Sequence, residues 1–346
     1  MLSISIVEGD VLNRDSDLLI LKYADGFHGV DRAVSELVGF EDHVETGDYA
    51  LVVGRPSNAK QVLFIGVGVL YEFRYAEIRR FGHDALKLSA QLDDAPKKIT
   101  MPIHGPGYGL DEREAFLSFV AGIMEAVEAG DLPRGLESLE IVELDPKRAV
   151  RLQHLLATVL KGQSPQVMKR GSLRVATKNG DRITPDGSSI PFIDLGKATD
   201  GLAKYGAPSE RKIKLFVAMP FKDDYVDEYD IAISDAAQHV NIVCERIDKE
   251  AYVGDIMNNV KGRIASYNGM LALLNDANPN VFLEIGCAWA KEKPIVLMLR
   301  KDQSLPFDLS GQKCIMYSNI SELRNKLKAE LKALLDNGTL TSQSTG

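Results

Sequence analysis

The sequence predicts an α/β protein of two domains. Three observations lead there. Short apolar runs of strand length alternate with helical patterns over residues 1–160, the same alternation resumes at Lys214, and a turn-rich stretch separates the two. In the first half the strand-length runs are 3–7, 17–23, 49–53, 61–67, 97–102 and 138–143. Helical patterns fall near 29–38, 74–91, 111–128 and 145–160, which implies a mixed sheet covered on both faces.

In the second half a strand at 214–219 leads to a helix near 225–239, a strand at 241–245 and a helix near 253–266. Apolar runs at 270–274 and 294–299 follow, with a polar loop and a helix between them. The last helix opens on Asn319 with Glu322 as a capping pair, and Leu323, Leu327, Leu331 and Leu334 recur at helical spacing as a core or oligomer stripe. The tail from Gly338 is expected to fray.

The domains are therefore placed at 1–160 and 214–340, joined by a linker at 161–213. That linker holds the turn signals Asn179-Gly180 and Pro185-Asp186-Gly187. Over 161–214 there are 11 Lys and Arg against 5 Asp and Glu, in a chain whose net charge is −8. Such a stretch is a solvated linker, or a basic collar steering an anionic nucleotide.

Composition narrows the class. The 346 residues are 45% apolar and 26% charged, as in a packed globular protein. The acidic balance argues against general nucleic-acid binding. Cys244, Cys287 and Cys314 lack metal-ligand spacing and read as reduced thiols. No apolar run nears the ~18 residues of a membrane span. The start, Met1 to Ile6, lacks the basic flank and long apolar core of a signal peptide, so a cytoplasmic location is expected. No Gly-x-x-x-x-Gly-Lys-Ser/Thr, His-Glu-x-x-His or Cys-x-x-Cys occurs, so neither a P-loop, a metal site nor a bound cofactor is expected. Of His28, His43, His83, His104, His154 and His239, only His104 lies in a motif.

The most informative stretch is Asn278-Pro279-Asn280-Val281-Phe282-Leu283-Glu284-Ile285-Gly286. With Asn280 as N-cap, Glu284 falls near the first turn of a helix running to about Lys291. Ligands of open α/β sheets bind in the crevice beyond the strands' carboxyl ends. The helix dipole would keep a carboxylate there ionised. Glu284 is thus a nucleophile or cation stabiliser, or only a helix-end residue.

The span from Lys214 to Tyr317 resembles the nucleoside 2-deoxyribosyltransferase-like group, whose fold is related to TIR domains. The matching pieces are Leu215-Phe216-Val217-Ala218-Met219-Pro220-Phe221, Glu245-Arg246-Ile247-Asp248 before Gly254-Asp255-Ile256, and Asn278 to Gly286. The resemblance implies a flavodoxin-like parallel sheet flanked by helices. It also implies cleavage of an N-glycosidic bond, with Glu284 trapping or stabilising an oxocarbenium-like sugar. Met219, Pro220 and Phe221 would flank the base and Asn280 would hold the sugar or the loop. Asp248 would orient a ribose hydroxyl, or merely pair with Arg246. The chain departs from the group where Leu273-Leu274-Asn275 replaces Asp-Leu-Thr and where Asn268 replaces an Asp.

Residues 1–160 resemble macro domains, above all the macro-like N-terminal domain of leucine aminopeptidases. The matching pieces are Glu8-Gly9-Asp10-Val11-Leu12, the strand 17–23, Val62 to Gly68, and Met101 to Leu110. In ligand-binding members a Gly-rich loop at the last position wraps a diphosphate. The resemblance then makes His104, Gly105, Gly107, Tyr108 and Gly109 a phosphate loop and Asp10 an adenine contact; otherwise the loop is a tight turn. The Asn-rich segment of ADP-ribose binders is absent, since residues 22–29 read Lys-Tyr-Ala-Asp-Gly-Phe-His-Gly.

Together these readings give an N-glycosidase acting on NAD or a related nucleotide, centred on Glu284, in a signalling or antiviral-defence setting. The alternative is a non-catalytic sensor of ADP-ribose-type nucleotides that works by conformational change or assembly. The expected partners are a nucleotide-type small molecule and further copies of the chain, with no membrane.

Overall fold

The computed structural model describes residues 2–159, 172–175, 195–220, 222–246, 262 and 264–341. It divides into two compact units. One comprises Met1–Pro106 with Glu112–Glu210, and the other Gly107–Asp111 with Arg211–Gly346.

The first unit carries a mixed sheet. Its strands are β1 (Leu2–Glu8), β2 (Ser16–Tyr23), β3 (Tyr49–Val53), β4 (Ala59–Gly66), β5 (Lys98–Pro102), β6 (Ser138–Glu143) and β7 (Ser172–Val175). Their order is β3-β4-β2-β5-β6-β1-β7, with parallel pairing throughout the centre and antiparallel edge strands β3 and β7. The helices are α1 (Val30–Val38), α2 (Tyr75–Ser89), α3 (Glu112–Ala129), α4 (Pro146–Val159), α5 (Leu195–Leu202) and α6 (Ala207–Glu210). The central strands read as nearly unbroken apolar runs because both faces are covered. On one face Leu19, Leu21, Val62 and Phe64 pack with Val34 of α1. Strand β7 and helices α5 and α6 come from residues that the sequence reading assigned to the linker, and they count with this unit. Turn-rich composition masked them.

The second unit is a five-stranded parallel sheet. Its strands are β8 (Lys214–Ala218), β9 (Val243–Glu245), β10 (Gly269–Leu273), β11 (Ile295–Arg300) and β12 (Cys314–Tyr317), in the order β12-β11-β10-β8-β9. Alternate strand residues bury on opposite faces. Leu215, Val217, Leu271, Leu273 and Met298 pack against the helical stretch 228–239 and against the last helix, through Leu323, Leu327 and Leu331. That stretch begins as a π-helix, Glu228–Ile233, and continues as α7 (Ser234–His239). Phe216, Ala218, Met270, Ala272, Leu297 and Leu299 pack against α8 (Pro279–Trp289). The last helix is α9 (Ile320–Asp336); Asn319 accepts the Glu322 N–H at 2.9 Å, as its capping role requires, and its leucine stripe is core.

Helices α2 and α3 cross with their backbones in contact. A Cβ on Gly122 would sit 1.8 Å from the Arg79 carbonyl oxygen, and one on Gly82 would sit 2.5 Å from that of Phe119. Glycine is costly inside a helix, by about 1 kcal/mol against alanine, so its use twice at one crossing marks a steric requirement. Gly122→Ala should lower stability by at least about 2 kcal/mol in urea denaturation, overpacking outweighing the gain in helix propensity. An unchanged midpoint would show that the crossing can relax.

Candidate functional site

In the second unit the carboxyl ends of β8, β10, β11 and β12 carry a linked set of polar side chains. After β10 the chain turns through Asp276 and Ala277, both in the left-handed region at φ 61° and 47°. Non-glycine residues rarely hold that conformation, and such strain concentrates at functional sites. The Asp276 carboxylate accepts from Lys222 Nζ at 2.6 Å, and its N–H donates to Gln303 Oε1 at 2.8 Å. The hydrogen bond from Lys222 is the main reason that the Asp276 pKa lies below the ordinary value. Burial and the nearby Asp276 push Tyr225 up to about 12.

Beneath this turn lies a buried network. Asn275 is fully buried and uses both ends of its amide: Nδ2 donates to Tyr317 Oη at 2.7 Å, and Oδ1 accepts from the Arg300 N–H at 3.1 Å. Glu228, also fully buried, takes Arg300 Nε at 3.1 Å on Oε1, together with a shorter bond from Nη2 and the Tyr317 hydroxyl at 3.3 Å. The carboxylate keeps Arg300 firmly protonated, and burial raises Tyr317 to about 12. Glu228 Oε2 is buried with no hydrogen-bond partner.

Glu284 differs from expectation in two respects. The N-cap of α8 is Asn278, whose Oδ1 accepts the Asn280 N–H at 2.9 Å, and Pro279 takes the first helical position, where a missing N–H costs nothing. Glu284 therefore lies in the second turn, where the dipole has weakened. Nor is its carboxyl held ionised as expected: burial raises its pKa from 4.5 to about 7. A carboxyl raised this far toward neutral pH is suited to proton or charge chemistry.

Its expected companions are dispersed. Met219 is a core residue on the sheet face opposite α8, packed with Tyr225 and Tyr229, and Pro220 is buried beside it in sequence. Asn280 is exposed and contributes its N–H to the cap. Phe221 and Asp248 lie outside the described residues. Asn268, at the departure from the expected Asp, is a fastener: Oδ1 accepts the Lys214 N–H at 2.8 Å and Nδ2 donates to the Thr341 carbonyl at 2.7 Å.

In the first unit Asp10 caps a short turn, its two oxygens accepting from the Leu12 N–H at 2.9 Å and Asn13 Nδ2 at 3.1 Å. The expected phosphate loop is divided between the two units after Pro106. Gly107 is exposed and open, Pro106–Tyr108 form a 3-10 turn, and the Gly109 carbonyl accepts the Arg246 N–H at 3.1 Å at the end of β9. Gly105 and Gly109 have φ of 113° and 92°, which explains both glycines by backbone conformation.

His104 is buried with its ring against Phe73 and Phe81, and burial with the nearby Lys22 charge holds its pKa well below 6.5. Lys22 ends the inward row Leu18, Ile20, Lys22 on β2 and meets Asp31 of α1 at 2.5 Å, each side chain only 1% exposed. Burial pushes the Asp31 carboxyl up against the pull of Lys22. His104 Nε2 and Asp31 Oδ1 are both buried without a partner. The sequence signal for this pair is a lysine directly after the run Leu18-Leu19-Ile20-Leu21, still within the strand. Among the described residues no group of three His, Cys, Asp or Glu is placed to hold a metal ion, and no helix is long and apolar enough to cross a membrane.

No protein-family model matches the chain, and no curated protein matches it. Among solved structures, the Oceanobacillus iheyensis macrodomain with MES bound is similar at 16% identity and a TM-score of 0.37, over 44% of this chain and 90% of that one. The same macrodomain with ADP gives 15% and 0.36 over 44% and 90%. A mutant of it with ADPR gives 15% and 0.36 over 44% and 91%. Likeness at this level carries no inference about ligand or activity.

The Lys22–Asp31 pair makes a direct test of buried charge. Asp31→Ala removes the carboxylate that Lys22 meets in the core and should cost about 3–5 kcal/mol, whereas the double change Lys22→Met with Asp31→Leu should cost far less. Denaturant midpoints of the two variants decide this. Equal losses would place the stability in packing rather than in charge.

Proposed function

We propose that the second unit is an N-glycosidase that cleaves the bond between base and ribose in NAD or a related nucleotide, with Glu284 as the central carboxylate. The observation that carries this reading is the Glu284 carboxyl itself, which burial alone raises to about 7 on the helix that follows β10. A desolvated carboxylate interacts far more strongly with positive charge than an exposed one does, and the sugar acquires that charge as the base leaves. The ionised form either attacks the anomeric carbon or stabilises its charge, and a water molecule completes hydrolysis.

Sensing without turnover is the second reading. It is favoured by Leu273 and Asn268, which stand where the resemblance leads one to expect acids: Leu273 is buried in the core, and Asn268 is engaged by the Lys214 N–H and the Thr341 carbonyl.

The test is release of free base from NAD and from nucleosides by the purified chain. If ionised Glu284 is the reactive form, the rate should rise with pH through a limb near 7 and level off above it. Glu284→Gln should lose on the order of 10³-fold in rate, about 4 kcal/mol. The same variant has a stability signature. A folded pKa of about 7 against an ordinary 4.5 means that the native state holds the proton more tightly than the unfolded chain. The stability from that proton is full below about pH 4.5 and fades as pH rises to about 7. Glu284→Gln should therefore stabilise the protein at pH 8, with about 3 kcal/mol as the ceiling, and change little at pH 4. A variant that turns over normally removes Glu284 from catalysis, and one that is no more stable at pH 8 removes its desolvation.

A further inference from the structure

We propose that strand β3 is the contact through which two copies of this chain associate, pairing antiparallel with β3 of the second copy about a two-fold axis at Leu51. β3 is the outermost strand of the first sheet. Gly66 N–H donates to the Asp48 carbonyl at 3.0 Å and Gly54 N–H to the Lys60 carbonyl at 2.9 Å, so the even-numbered residues turn their backbone groups toward β4. Tyr49, Leu51 and Val53 consequently turn theirs outward. The Tyr49 N–H is held by Asp48 Oδ1 at 2.8 Å, and among the described residues the outward N–H and C=O groups of Leu51 and Val53 pair with nothing.

Side chains follow the same parity. Ala50 and Val52 pack inward, while Leu51 is 38% and Val53 69% exposed. The strand reads Tyr-Ala-Leu-Val-Val, without the lysine, proline or bulge by which edge strands usually repel one another. Placing Leu51 opposite itself sets Tyr49 against Val53 of the second copy and puts all three outward-facing residues in hydrogen-bonding pairs, the Tyr49 N–H exchanging Asp48 Oδ1 for the Val53 carbonyl. No other antiparallel register does so. The ends are complementary as well. Asp48 precedes the strand and Arg55 follows it, both exposed, and this register places an acidic residue of one copy and a basic residue of the other at each end of the pair, one position apart. Symmetric pairing of one patch with itself is the commonest route to a dimer. Five residues bury less than the ~1,200 Å² of a standard interface, so the dimer is weak, with a Kd on the order of 10 µM or higher.

The experiment is sedimentation velocity on the full chain from about 1 to about 200 µM, a range that brackets such a Kd. The mass should move from that of one chain toward that of two. Leu51→Lys, which sets like charges face to face on the axis, should leave a monomer throughout with an unchanged circular dichroism spectrum, whereas Leu144→Lys at another exposed apolar position should still dimerise. Should Leu51→Lys fail to fold, Leu51→Cys keeps the test open. Mild oxidation should link its copies, because the Cα atoms of a hydrogen-bonded antiparallel pair lie about 5.5 Å apart, within disulfide reach. Val53→Cys should not link, since the two Val53 residues stand four positions apart along the pair. A chain monomeric at every concentration, a folded Leu51→Lys that still dimerises, or linkage through Val53→Cys but not Leu51→Cys would each overturn the proposal. The first of these would leave the edge to an extended segment of another protein.

Discussion

The ion pair between Arg300 and Glu228 governs the second unit. A parallel sheet covered on both faces has apolar strands throughout, so its polar groups can gather only at the strand ends. There Glu228 gathers Arg300 from β11 and Tyr317 from β12, and Asn275 from the end of β10 closes the set. A buried carboxylate with two donor residues and a buried amide bonded at both ends are intolerant of displacement. That intolerance fixes where β10 ends, and with it the strained turn at Asp276 and the start of α8.

The first unit solves a related problem with different residues. Lys22 and Asp31 neutralise each other within its core, beside a histidine that burial keeps uncharged. In each unit one carboxylate oxygen next to the paired cation stays buried without a partner, Glu228 Oε2 in one and Asp31 Oδ1 in the other. An orphaned buried acceptor is expensive and uncommon in native structures. Both orphans belong to ion pairs, where the neighbouring cation lessens the cost of the missing bond.

Periodicity made most elements legible. The strand 49–53 and the strand 138–143 were placed to the residue, and α1 to α4 within one or two positions, because each has an uninterrupted apolar pattern and a turn at either end. The reading failed where local preference and tertiary context diverge. Asn280 looked like the cap because it directly precedes the apolar run, but Pro279 shifts the start of α8 back to Asn278. Glu228 reads as an ordinary surface acid, since nothing local announces a π-helical turn or the arginine 72 residues further on. Met219 was assigned to a ligand, although strand parity already pointed it into the same core as Leu215 and Val217. The shift of Glu284 to about 7 was illegible for a different reason: burial is a property of the assembled fold.

The close crossing of α2 and α3 bears on how the first unit can move. Packed helices ordinarily slide past one another by small adjustments in the side chains between them. Where Gly82 and Gly122 bring backbone against backbone there is no such layer to adjust. The two helices must then travel as a single stiff body, and the sheet strands they cover travel with them. Any sliding of helices within that unit therefore falls to pairs that keep side chains between them, and the α2–α3 crossing acts as a fixed reference for the rest.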